Sequence, residues 1–225
     1  MNDHAVAGVD GCRGGWVVAI SDGVDVDLRV VERFENVVSF VDEGVSTLAV
    51  DIPIGLPDRG ARACDVDGRR HLGPRRSSIF PAPPRALLSV LEYSAALKAK
   101  RVIDGTGLSK QAFFLLPKIA EVDAVMTAEL QRAVVECHPE LAFARLAGAP
   151  LSTSKRTRSG MDERRRLLEE VHGPIPSRTP QGAAGHDVLD ALALTCTARH
   201  LASGSDRRLG DGTRDRHGLV MEIAW

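Results

Sequence analysis

Two short apolar runs, residues 5–9 and 16–20, flank the turn-rich hexapeptide DGCRGG, and this pattern predicts two antiparallel strands joined by a tight turn. A third strand is expected over roughly residues 24–31. Phe34, Val37, Val38 and Val41 then recur at i, i+3, i+4 and i+7 ahead of Gly44, the spacing of a helix that buries one face and stops at a glycine. TLAVDIPIGLP reads as a buried strand ending at prolines.

From about residue 57 to 131 the texture changes to an arginine- and proline-rich loop followed by helical stretches near 84–101 and 109–130. RAVVECH predicts a further short strand running into Pro139, which suits the first turn of a short helix ending at Gly148. A polar, basic linker follows. Residues 161–172 read as a charged surface helix, and GAAGHDVLDALALTCTARHLASG reads as a nearly all-apolar, buried helix. A loop and a last short strand, GLVMEIAW, complete the chain. The order of elements implies a mixed five-stranded α/β sheet with flanking helices, in a single domain over residues 1–225 that carries the 57–131 segment as a helical insertion.

Composition narrows the partners. The 29 Lys and Arg nearly balance the 30 Asp and Glu, so no global field favours nucleic acid or a membrane, and an electrostatic partner site must be local. Cys12, Cys64, Cys137 and Cys196 form no CxxC pair, which argues against a zinc knuckle. Nothing resembles a secretory leader or an apolar stretch of about 20 residues, so the expected setting is a reducing cytoplasm without a membrane partner. Cys137 and His138 are neighbours on a strand and should face opposite ways, which leaves the four cysteines structural and His138 a core histidine.

The acidic residues attract more interest. Asp10 ends the first strand, Asp51 sits in the fourth, Glu136 sits in the fifth, and Asp187 and Asp190 lie three apart near the start of the last long helix. Residues three apart share a helix face. Several buried carboxylates need cations, hydrogen bonds or protons, and a divalent metal supplies what they lack. Each also has a plainer explanation. Asp10 before Gly11 suits a turn, Asp51 can close a strand, Asp187 can cap the helix with Asp190 at its third position, and Glu136 can pair with an arginine.

The runs VDGCRGGW, AVDIPIGLP, LGPRRSSIFPAPPR, GLSKQAFFLLPKIAEVD, VECHPELAF and HDVLDALALT together resemble the bacterial and archaeal family catalogued as domain of unknown function 429. Its members are described as predicted nucleases with a ribonuclease-H-like fold, and the closing DxxDALA is similar to the last helix of Holliday-junction resolvases of the RuvC type. The resemblance implies a metal-dependent nuclease, a hydrolase of phosphodiester bonds. Asp10 would bridge the metals, Asp51 would stand where resolvases usually carry a glutamate, and Asp187 and Asp190 would match the closing-helix pair. Glu136 has no certain counterpart.

Such carboxylates favour Mg²⁺ or Mn²⁺, and two such ions can activate a water and stabilise the leaving oxygen. His186 is a candidate proton shuttle, or else a loop histidine with a structural hydrogen bond. For phosphate binding, residues 59–85 hold seven arginines and two acids, and Arg69, Arg70, Arg75, Arg76 and Arg85 are the candidates, joined by Lys118 and Lys155. Lys155, Arg156 and Arg158 also read as ordinary solvated charge. The substrate is expected to be nucleic acid, DNA or RNA unresolved, and the oligomeric state, a dimer included, is not readable. Two competing readings keep the fold. One is an actin-like ATPase or kinase that cradles nucleotide phosphates in the Asp10–Gly11 hairpin; the other is a catalytically inert nucleic-acid-binding protein.

Overall fold

The computed structural model describes residues 5–225; residues 1–4 of the expected domain lie outside them. Strands β1 (Val6–Cys12), β2 (Gly15–Ser21) and β3 (Val26–Val31) form an antiparallel meander, helix α1 (Phe34–Asp42) crosses over, and β4 (Thr47–Val50) returns parallel to β1. β5 (Val134–Glu136) pairs parallel with β4, which gives one five-stranded sheet in the order β3-β2-β1-β4-β5. The architecture is the mixed α/β sheet that the hydrophobic pattern predicts, and it is consistent with a ribonuclease-H-like fold. No helix among the described residues is long and apolar enough to cross a membrane.

Between β4 and β5 lie α2 (Ala63–Leu72), α3 (Tyr93–Asp104) and α4 (Lys110–Val125). After β5 come α5 (Pro139–Ala147), α6 (Arg158–His172) and α7 (Gly185–Ala202). α2 replaces part of the expected loop. Its segment, ACDVDGRRHL, has little apolar periodicity, and it is helical because its few buried residues dock: Cys64 and Leu72 join Ile79, Leu141 and Trp225 in one cluster. The β4 hydrogen-bonded ladder ends at Val50, so Asp51 lies one residue past the strand. In the tail, β6 (Arg208–Leu209) pairs with β7 (Ile223–Ala224), two strands where one was expected.

Alternation along the strands sorts the core into two faces. Ala7, Val9, Trp16, Val18, Leu48 and Val50 pack against Phe34, Val37 and Phe40 of α1 and against Ile119 and Val122 of α4. On the other face Val17 and Ala19 meet Val188, Leu189 and Leu192 of α7, while Val6, Ala49, Val135 and Cys137 meet Leu194 and Ala198. The four cysteines are free and buried, as expected of structural residues.

α7 lies unusually close to β1. A Cβ at Gly8 would sit 2.0 Å from the backbone oxygen of Ala191, nearer than any non-bonded contact allows, so only glycine admits the helix here. Gly14 N donates to Gly182 O at 2.8 Å and ties the β1–β2 turn to the loop that enters α7. Gly8→Ala should therefore force α7 outward and cost about 2–4 kcal/mol by urea unfolding. Gly107→Ala, whose Cβ would meet its nearest neighbour at 3.9 Å, should cost well under about 1 kcal/mol. Equal costs for the two variants would contradict the close approach.

Candidate functional site

One residue beyond the Val9–Val50 register pair in both strands, Asp10 and Asp51 stand side by side at the carboxyl end of the parallel β1–β4 pair, and Asp51 N donates to Val9 O at 3.0 Å. Neighbouring strands lie about 5 Å apart, so the two carboxylates share a neighbourhood. Both follow the alternation of Gly8 and Ala49 onto the α7 face. Asp10 is 8% exposed, and its Oδ1 accepts from Gly11 N at 2.8 Å. Burial pushes its carboxyl well above the ordinary value, with the charges of Asp51 and Asp190 adding to the effect and Lys155 opposing it.

The first two turns of α7 supply the other pair. Asp187, at the third helical position, accepts from Ala184 N at 2.8 Å, half of a capping box because alanine offers nothing in return. Its Oδ1 lies 3.2 Å from His186 Nε2. Asp190 is buried and paired with the ammonium of Lys155, which arrives from the linker between α5 and α6. Burial pushes Asp190 up to about 6 despite Lys155, with Asp51 and Glu140 contributing. Burial opposes the Lys155 charge too, but Asp190 first and then Asp10 and Asp51 outweigh it and hold the ammonium above its ordinary value.

Glu136 lines the same cavity as Asp10 and Asp51 but is held in a separate ion pair. It pairs in register with Val50, one residue short of Asp51, and so points to the opposite face. There Arg62, 2% exposed, donates to Glu136 Oε1 at 2.6 Å and Oε2 at 2.7 Å, and to Asp65 Oδ1 at 2.6 Å, while Ile54 N donates to Glu136 Oε2 at 2.6 Å. Burial disfavours the Arg62 cation, but Glu136 and Asp65 push its pKa well above the ordinary value. The plainer explanation, an arginine pair, describes Glu136.

Sequence reasoning missed Glu140, four residues on in VECHPE, whose charge acts on Asp190. It is 5% exposed at the start of α5; its Oε1 accepts from Arg164 Nη2 at 2.7 Å, and its Oε2 is buried without a partner. His138, expected in the core, caps that helix by accepting from Glu140 N at 3.2 Å. HPE before an apolar helix is the signal that could have marked the place, since proline fixes the first turn and sets the glutamate at the second position.

A cavity of about 570 Å³ opens over these groups, lined among others by Asp10, Asp51, Asp187, Glu140 and His186. Of the predicted phosphate contacts it reaches Arg75, Lys118 and Lys155, and it also reaches Arg156. Lys118 Nζ donates to Gly15 O at 2.6 Å and lies 4.4 Å from the centre of the Trp16 ring; burial lowers its pKa, against Glu121. Arg75 approaches Glu140 Oε1 at 3.4 Å. The remaining arginines do not line the cavity. Arg85 binds Asp123 at 2.9 Å and also Asp215, Arg69 donates to Ile79 O at 2.6 Å, Arg70 pairs with Asp67 at the surface, and Arg76 is exposed. An arginine-rich sequence can spend its cations on internal carboxylates, and this one spends Arg62 and Arg85 so.

The donors that face the cavity are mainly carboxylate oxygens, and their mutual repulsion is what a hard divalent ion relieves. Donor chemistry thus fits Mg²⁺ or Mn²⁺, with Asp10 and Asp51 best placed to share an ion. The expected four-aspartate cage is not assembled. Among the described residues no three Asp, Glu, His or Cys side chains converge on one ion position, and Asp190 is held by Lys155.

Fold and cavity define an α/β protein with buried carboxylates and flanking cations gathered at the carboxyl ends of two parallel strands. The family model described as "Protein of unknown function (DUF429)" matches residues 8–214, and the chain belongs to that family. No curated protein and no solved structure matches it.

Two outcomes test this electrostatic arrangement. A carboxyl whose folded-state pKa is raised stabilises the fold fully below its unfolded value, and that contribution is lost as pH rises through the raised one. In chelated protein Asp10→Asn should therefore melt close to wild type near pH 4 and above it at pH 8, by about 2–4 °C for each kcal/mol relieved. A variant that melts below wild type at pH 8 would mean that Asp10 is held by a favourable partner. Separately, Arg62→Leu should cost about 3–5 kcal/mol in urea unfolding, because Asp65 and Glu136 lose their common counter-charge; a change under about 1 kcal/mol would contradict the buried network.

Proposed function

We propose that the chain is a metal-dependent nuclease, a hydrolase of phosphodiester bonds in DNA or RNA, working in the reducing cytoplasm that four free, buried cysteines suit. The observation that carries this reading is the meeting, in one cavity, of Asp10, Asp51 and Asp187 with Lys118, Lys155 and Arg156. Carboxylates and phosphate-binding cations repel different partners, and a phosphodiester with a divalent ion satisfies both sets at once.

Asp10 and Asp51 would hold a divalent ion, which when bound supplies an activated water and charge for the leaving oxygen. The chain's own groups do the rest. Arg156, exposed at the cavity mouth, and Lys118, deeper in, grip non-bridging phosphate oxygens. Lys155 keeps the Asp190 side of the cluster from repelling the substrate. His186, steadied by Asp187, stands at the rim to deliver or take up a proton.

Asp10→Asn is expected to keep the fold and to abolish Mn²⁺-dependent cleavage of nucleic acid together with the Mn²⁺-induced rise in melting temperature. A folded Asp10→Asn protein that still cleaves in Mn²⁺ would make Asp10 the turn residue that DG dipeptides usually supply. Arg156→Ala should reduce the slope of log affinity against log salt by about one. Arg85→Ala should leave that slope unchanged while lowering stability, since its charge is spent on Asp123 and Asp215.

A further inference from the structure

The cavity lining is of two kinds. Charged Asp10, Asp51 and Lys118 are joined there by an apolar wall, Phe80, Pro81 and Pro83 after α2, and by Leu115 of α4. A phosphate has no use for an apolar wall, but a base does. The wall is also fixed in place. Ile79 beneath it is 2% exposed, Ala82 N donates to buried Asp65 at 2.9 Å, Arg69 donates to Ile79 O at 2.6 Å, and prolines at 81, 83 and 84 stiffen the segment between. α4, which supplies Leu115 and Lys118, is clamped to the core where Phe34 N donates to Glu121 Oε1 at 2.6 Å and Lys118 donates to Gly15 O.

These anchors hold both contributors to the lining in place. A volume of about 570 Å³ suits one ligand of small-molecule size, and Asp10 lies at its bottom, almost wholly buried. A phosphate held in a duplex brings the paired strand with it and cannot follow down to a group as buried as Asp10. A flexible strand can. We infer that the site admits one unpaired nucleotide unit at a time, its base against Phe80, and excludes intact duplex; the placing of its phosphate toward Asp10 and Asp51 rests on the hydrolase reading above. A free nucleotide and an unpaired stretch of polynucleotide carry the same chemistry, and only the second extends out through the mouth past Arg156.

Binding and cleavage separate the possibilities. Full-length protein carrying Asp10→Asn is titrated with a 2-aminopurine-labelled single strand, with the same strand in a blunt duplex, and with the 2-aminopurine nucleoside monophosphate. Single strand should bind roughly tenfold or more tightly than duplex, with quenched fluorescence; adding Phe80→Ala should weaken strand binding by about tenfold, and Phe80→Tyr should restore it. Binding of the monophosphate alone, with the same dependence on Phe80, also supports the unit and assigns it to free nucleotides. Duplex binding that equals or exceeds that of the strand, or strand binding indifferent to Phe80→Ala in a protein that melts normally, overturns the inference. Wild-type protein with Mn²⁺ is scored on the same oligonucleotides. Cleavage of duplex ahead of single strand overturns the inference and leaves the hydrolase reading standing. Phe80-dependent binding without any cleavage removes the hydrolase reading and keeps the inference.

Discussion

The approach of α7 to β1 at Gly8 is the contact on which the remaining geometry depends. With the Ala191 oxygen 2.0 Å from where a Cβ would be, the helix axis is set at a separation that no other residue permits. That separation brings the first two turns of α7, with Asp187 and Asp190, over the carboxyl ends of β1 and β4. A helix displaced by a methyl group would still cover the sheet and bury Val188, Leu189 and Leu192. It would hold Asp190 farther from the Asp10 carboxyl and weaken its action there. Packing and chemistry are thus coupled through one missing side chain.

The sheet and its two faces were legible because they rest on periodicity, which any single sequence displays. Alternation in VAGV and WVVAI, and the i, i+3, i+4 spacing after Phe34, suffice for β1, β2 and α1. α2 was not legible, because its segment is polar and becomes helical only when Cys64, Leu72 and the Arg62–Asp65 pair find their places. Asp10, Asp51, Asp187 and Asp190 stood out as acids in apolar surroundings. Glu136 stood out equally and lines the same cavity, but it leaves the sheet on the other face and pairs with Arg62, a one-residue matter of register that follows from the pairing of Val50 with Glu136 and could not be read before that pairing was known. Arginine partners were the least legible. Arg85 and Asp215 are 130 residues apart, and no local pattern announces that they meet.

Charge in this protein is arranged in two buried groups that sit on opposite faces and obey different rules. On the α4 side, Arg62 satisfies Glu136 and Asp65 with hydrogen bonds to spare for the Ile54 and Gly55 carbonyls, and the group is closed. On the α7 side Asp10, Asp51 and Asp190 share Lys155, while Glu140, paired with Arg164 and approached by Arg75, keeps one oxygen unpartnered, so that the three aspartates are left short of positive charge. A closed group specifies a fold; an open one has capacity for a ligand. Sequence distance does not distinguish the two, since Glu136 and Glu140 are four residues apart and belong to different groups.

The pairing of β1 with α7 also has a temporal side. The strand is made first and its covering helix almost last, with more than 170 residues of synthesis between Cys12 and Gly185. At roughly 5–20 residues per second a nascent chain spends on the order of ten seconds or more with Val17 and Ala19 made and their covering helix not yet made. Until α7 is made, Asp10 lacks the charges of Asp187 and Asp190, and Lys155 joins the chain only shortly before that helix. The cavity is therefore among the last features to come into being, and a ribosome stalled before residue 185 would carry a sheet with one bare side, a natural target for chaperones.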